Sequence, residues 1–191
     1  MGYRRTHLAA ANAAVADYIV ASCNMADGDY VIAKGDMPTE GARHVTMVRT
    51  VTNTADTPGK IKVYGHDLDG RPQVEELTPG ATGVTVTGTK WFTGVTAAIG
   101  SGWVQGGASQ DTIKIGVSSD LIVASGNGTL QRVIVNTTAA GTITLADDAG
   151  TIGVLKSNVA EGFYTYEVEY SGYLKVALAA GSDVTIVHSP A

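Results

Sequence analysis

From about Val45 to its C-terminus the chain is built of short runs in which apolar and polar residues alternate, separated by Gly, Thr, Ser, Asn and Asp. Over residues 163–170, Tyr164, Tyr166, Val168 and Tyr170 fall on one side and Thr165, Glu167 and Glu169 on the other, which is the period of a half-buried strand. The same alternation predicts strands at 45–51, 60–64, 73–77, 84–87, 91–97 and 112–117, where Ile113, Ile115 and Val117 alternate with Thr112, Lys114 and Gly116. Thr57-Pro58-Gly59, Asp69-Gly70-Arg71-Pro72 and Thr78-Pro79-Gly80 supply the turns between them. A second series follows at 130–136, 142–146, 152–156, 163–170, 174–178 and 184–187. Each strand has one face to bury, so the expected fold is all-β: two β-sandwich or barrel-like modules, residues 44–118 and 119–191, meeting near Ser118-Ser119-Asp120. Residues 1–43 lack sustained alternation. Their Ala-rich stretch from Leu8 to Cys23 permits a helix but carries no periodic apolar stripe, so an extended N-terminal arm is expected there.

Composition agrees with many turns and few helices. Of 191 residues, 44% are hydrophobic, enough to fill cores, while only 16% are charged and 24 are Gly. The formal charge of −5, with basic residues scattered apart from Arg4-Arg5, argues against nucleic acid as a partner, because neutralising phosphates takes clustered cations. No apolar run approaches the roughly 20 residues that cross a bilayer, so no membrane partner is expected. The single Cys23 excludes an intramolecular disulfide framework. Arg4-Arg5, the Ala-rich stretch and Val20-Ala21-Ser22-Cys23 imitate a lipoprotein signal, but Asn12 and Asp17 interrupt its apolar core. Met1-Gly2 with Thr6 and the sequons at Asn127 and Asn136 match modification patterns too short to carry weight.

The residues that do chemistry in proteins are spread thinly. Asp67, Asp69 and Gly70 resemble the start of a calcium loop, yet the bidentate Glu that closes such a loop is missing at the required spacing, and a hairpin turn explains them. Glu75 and Glu76 are adjacent on a strand and so face opposite ways, a poor acid/base pair better read as solvated edge charges. His7, His44, His66 and His188 are dispersed, without the i, i+4 or Cys pairings of metal sites. Nucleophile elbows, P-loops and dinucleotide fingerprints are absent from the sequence. The chain therefore reads as a non-enzyme with no cofactor. Trp91, Phe92, Trp103 and the tyrosines at 164, 166, 170 and 173 suit a core, a subunit interface or a carbohydrate platform. Trp103, in a Gly-rich loop, is a candidate contact residue.

Two stretches carry a resemblance. Val63-Tyr64-Gly65-His66-Asp67-Leu68-Asp69-Gly70-Arg71-Pro72-Gln73-Val74-Glu75-Glu76-Leu77, followed by Val86-Thr87-Gly88-Thr89-Lys90-Trp91-Phe92, resembles a repeat of tailed-bacteriophage virion proteins in which a "G-x-D-x-x-G-x-P-x-x-E" hairpin precedes "G-T-K-aromatic-F". The part from Gly128 to Thr137, with Thr165-Tyr166-Glu167-Val168 and Ser182-Asp183-Val184-Thr185-Ile186, is similar to a second module of such proteins. The resemblance implies a head decoration (cement) protein, with a neck, tail or fibre component as alternative; a carbohydrate-binding host-attachment module is the rival from another class. A cement protein would sit on the outer surface of the capsid, bind the major capsid protein at subunit junctions and self-associate, with a homotrimer expected from threefold symmetry. The arm would then make capsid or intersubunit contact through Tyr3, Arg4, Arg5 and His7, with Trp103 contributing from its loop.

Overall fold

The computed structural model describes residues 2–9, 14–38, 40–138, 140–179 and 181–191; Met1 and Asn12, which entered the reading of targeting patterns, lie outside them. The fold is all-β. Its strands in chain order are β1 (Arg4–Ala9), β2 (Val15–Asn24), β3 (Asp29–Tyr30), β4 (Ala42–Thr50), β5 (Lys60–His66), β6 (Pro72–Leu77), β7 (Thr85–Phe92) and β8 (Gly94–Ser101). There follow β9 (Thr112–Ser125), β10 (Gly128–Thr137), β11 (Ile143–Ala146), β12 (Thr151–Leu155), β13 (Gly162–Tyr170), β14 (Tyr173–Ala177) and β15 (Asp183–Pro190). One 3-10 turn at Met25–Asp27 is the only helical element among the described residues. All the strand pairings with assigned registers are antiparallel.

The chain forms two compact units, residues 14–37 with 43–118, and residues 1–13 with 38–42 and 119–191. The sequence-defined arm is thus divided: β1 pairs with β15 in the second unit, while β2 pairs with β9 and β3 with β8 in the first. The division falls between Ser118 and Ser119, inside β9, whose two halves serve different units.

In the first unit, one layer contains β2, the first half of β9, β4 and β7, and the other runs β3-β8-β5-β6. Inward positions recur at every second residue, as in β5, where Ile61 and Val63 are buried between Lys60, Lys62 and Tyr64. They meet Met47, Phe92, Ile113, Ile115 and Val117 in one apolar cluster. β2 does not follow this rule. Val15 lies opposite Val117, yet Val20 lies opposite Ile115, so five residues of β2 pass beside two steps of β9. Gly116 lies where the backbone of Val15 and Ala16 passes, and any Cβ there would collide with it.

Two polar inward residues of this unit are anchored rather than solvated. Asp111 is fully buried and accepts hydrogen bonds from Arg49 Nε (2.7 Å) and from the N–H groups of Thr52 (2.8 Å) and Asn53 (3.0 Å). Burial alone would raise its pKa, but those N–H groups and the guanidinium outweigh it and hold the carboxyl below its ordinary range. Glu75 overturns the edge-charge expectation. Opposite Val63 on β6, it is 7% exposed, and its Oε1 accepts from the Thr89 hydroxyl (3.0 Å) and from the N–H groups of Thr89 and Lys90 on β7. Gly88 leaves room for that carboxylate, since a Cβ there would strike both its oxygens. Gln73 Nε2 donates to the Trp91 carbonyl, and Lys90 Nζ to the Val74 carbonyl. β6 and β7 are the outermost strands of their layers, so these side chains satisfy backbone groups that an open edge would expose. Glu76, one residue on, faces outward and pairs with Lys60.

In the second unit, β1-β15-β10-β13 form one layer, and β12-β11-β14 with the second half of β9 form the other. Leu8, Leu121, Leu130, Val133, Leu145, Leu174, Val176, Val184 and Ile186 are all fully buried between them. β13 departs from its sequence pattern. It carries one more residue than β10 between the pairs Arg132↔Thr165 and Leu130↔Val168, Glu167 takes φ +53° there, and Val168 stays 41% exposed.

Candidate functional site

Because side chains alternate across a strand, the residues of β1, β15 and β10 that neighbour the buried Leu8, Ile186, Val184 and Val133 face away from the core. Register sets who meets whom there. Arg5 on β1 and Arg132 on β10 are each paired with Val187 on β15, so one row reads Arg5, Val187, Arg132. The next row brings Ile134 on β10 beside Phe163 on β13. With Tyr3 these residues line a groove of about 250 Å³. Strands lie about 4.8 Å apart, so the two arginine Cα atoms are about 10 Å apart with no acid between them. Among the described residues no carboxylate pairs with Arg5 or Arg132. Phe163 is 72% and Tyr3 69% exposed, the most exposed Phe, Tyr or Trp rings among the described residues. A floor of Val187 and Ile134, two unneutralised guanidinium groups and two accessible rings together make a surface able to hold an anionic group beside an apolar one.

The expected contact residues fall in different places. Tyr3 and Arg5 line the groove. Arg4 lies opposite His188, and its charge acts on the buried pair Tyr170 and His188 rather than on the groove. His7 Nε2 lies 2.8 Å from Asp183 Oδ1, and the His7 backbone N–H donates to Glu40 Oε2, so this residue fastens β1 rather than standing free. Asn136 above all, with His7, holds the Asp183 carboxyl below its ordinary range against the opposing effect of burial. Trp103 is half-buried and packs against the core of the first unit, beside Gly100 and the Tyr30 hydroxyl. Arg132, Ile134 and Phe163 escaped sequence reading because they are singletons on separate strands. Only the register brings them together.

Other candidates resolve into structure. Asp67 Oδ1 accepts from the N–H groups of Asp69 (2.9 Å) and Arg71 (2.8 Å), and Gly70 takes φ +76°, which makes the segment a hairpin turn. Among the described residues no group of three or more His, Cys, Asp or Glu side chains converges as a metal site would need. Burial, reinforced by Asp27, pushes the Cys23 thiol up to about 11, which disfavours the nucleophilic thiolate. Trp91 stacks on His44 with ring centroids 3.4 Å apart.

His188 carries a pH dependence. It is 3% exposed, with Nδ1 at 3.3 Å from the Tyr170 hydroxyl, and burial, assisted by Arg4, pulls its pKa below the ordinary 6.5. The folded state thus prefers the neutral ring. Its contribution is complete above pH 6.5 and is lost as pH falls from there toward the depressed folded value. Urea midpoints are expected to drop between about pH 7 and about pH 5, and the drop should shrink in His188→Gln; equal slopes in both proteins would exclude His188 as its source.

No protein-family model matches the chain, and no curated protein matches it significantly.

Proposed function

We propose that the chain is a non-enzymatic virion structural protein of a tailed bacteriophage, which decorates and stabilises the head by binding at junctions between major capsid subunits. It acts on the outer surface of the capsid as a homotrimer. The observation that supports this reading is the groove of Tyr3, Arg5, Arg132, Ile134, Phe163 and Val187 on an exposed sheet face, a surface suited to holding another protein. The phage-type motif adds to it: Gly88, Thr89 and Lys90 grip Glu75 across the layer edges, so those residues serve the fold and leave the outer faces available for contact.

The test is direct. Purified protein is added to undecorated heads of the phage that encodes it, and occupancy is read by electron microscopy together with the heat resistance of the particles. Density at capsid junctions and raised heat resistance are expected. A bare head lattice at saturating protein, or binding confined to the neck, tail or fibres, would remove the decoration role. Binding to host glycans on an array, with bare heads, would favour host attachment instead.

A further inference from the structure

We infer that the Arg5–Arg132 groove is one half of a contact between copies of this chain, and that the segment Glu167-Val168-Glu169 of a second copy is the other half. This deepens the homotrimer reading above and rests on it.

The chain carries an excess of acid, −5 overall, yet Arg5 and Arg132 face each other across Val187 with no acidic partner among the described residues. Two uncompensated cations in one row repel each other, and a carboxylate arriving between them removes that cost. The matching feature lies on β13. Glu167, Val168 and Glu169 are three consecutive exposed residues, and neither glutamate has a cationic partner among the described residues. The extra residue at Glu167, with φ +53°, breaks the regular pleat of this edge strand. That break disfavours backbone pairing with another strand, and leaves the side chains as the means of contact. Two carboxylates flanking a valine match two guanidinium groups flanking an apolar floor, with Phe163 and Tyr3 available to cover Val168.

Groove and segment share no residue, so a contact that engages one groove and one segment at each junction is heterologous, and heterologous contacts generate closed rings when the rotation closes. A threefold ring uses one groove and one segment from every copy and leaves none unfilled. Exposed ion pairs contribute little each, so the apolar contact supplies most of the affinity while the charges set register and partner choice.

Sedimentation of the full chain tests this. The wild type is expected to assemble, more weakly at high salt. Arg5→Glu with Arg132→Glu, and separately Glu167→Lys with Glu169→Lys, are each expected to raise the dissociation constant by about 100-fold, the scale of setting like charges against each other across the contact. The chain with all four substitutions is expected to assemble again, since every opposed charge has been exchanged. All positions are exposed, and unchanged circular dichroism and melting identify variants that retain the fold. A monomeric wild type, double variants that assemble like the wild type, or a folded four-site variant that stays monomeric would each overturn the inference. Failure here is distinct from failure of the decoration role: a ring that ignores heads removes only the decoration, and a monomer that decorates heads removes the contact and the homotrimer but leaves the decoration standing.

Discussion

Replacing Asp111 with Ala is expected to cost about 3 kcal/mol of stability, the scale of breaking a buried ion pair. The carboxylate lies at the centre of a buried network. It accepts from Arg49 Nε, Thr52 N–H and Asn53 N–H, while the backbone N–H of Asp111 donates to Asp56 Oδ2 at 2.9 Å. Asp56 in turn accepts from Gly106 N–H at 2.7 Å, and Arg49 Nη2 donates to the Asp56 carbonyl at 3.2 Å. Alanine leaves a guanidinium 8% exposed without its counter-charge and two N–H groups without an acceptor. The figure sits at the low end for a broken buried pair because the site underlies loops that water can reach after relaxation. Asp111→Asn retains an acceptor but not the charge, and should fall between. Urea unfolding at neutral pH reads both variants, and a loss under about 1 kcal/mol would mean that the ion pair contributes no more than an exposed one. The sign of the pH dependence is fixed as well. Because the folded carboxyl is held below 3.8, its stabilisation is complete above that pH and disappears as pH falls through the depressed value.

Glu75→Ala is expected to cost about 2 kcal/mol, the scale of hydrogen bonds to a charged acceptor. Three donors lose their partner at once: the Thr89 N–H, the Thr89 hydroxyl and the Lys90 N–H. Glu75→Gln keeps an oxygen in place and should lose about half as much. Gly88→Val probes the same contact from the other side, because its branched side chain would occupy the space that the carboxylate fills. If the clasp acts as a unit, combining Glu75→Ala with Gly88→Val should cost less than the sum of the single losses, since the collision vanishes with the carboxylate. Strict additivity in a double-mutant cycle would show that the two positions are uncoupled.

Most strands after Val45 were legible because inward and outward positions alternate there, but the expected strand 91–97 runs across the break between β7 and β8, and the expected hinge at Ser118-Ser119-Asp120 lies inside the continuous strand β9. In β5 and in the first half of β9 the pleat alone decides burial. β1 to β3 were not legible. β1 buries a single large apolar residue, Leu8, and β2 buries the adjacent Ile19 and Val20 across a register break, so neither shows a period of two. Glu75 was read correctly as facing away from Glu76, but its burial depended on donors about fifteen residues further on. The groove was half visible. Tyr3 and Arg5 stood out as a basic, aromatic tip, whereas Arg132 and Phe163 became its neighbours only through the antiparallel order β1-β15-β10-β13, which no local pattern encodes.

The fastening of β6 to β7 has a consequence for how such a unit can travel. Every donor and acceptor in it, Gln73, Val74, Glu75, Thr89, Lys90 and Trp91, lies in one continuous stretch of chain. A segment that brings its own closure needs no help from its host to seal that margin. Grafted or recombined into another polypeptide, it would arrive with one flank already protected against sticky association, leaving natural variation free to remodel the outward faces while the seam stays shut.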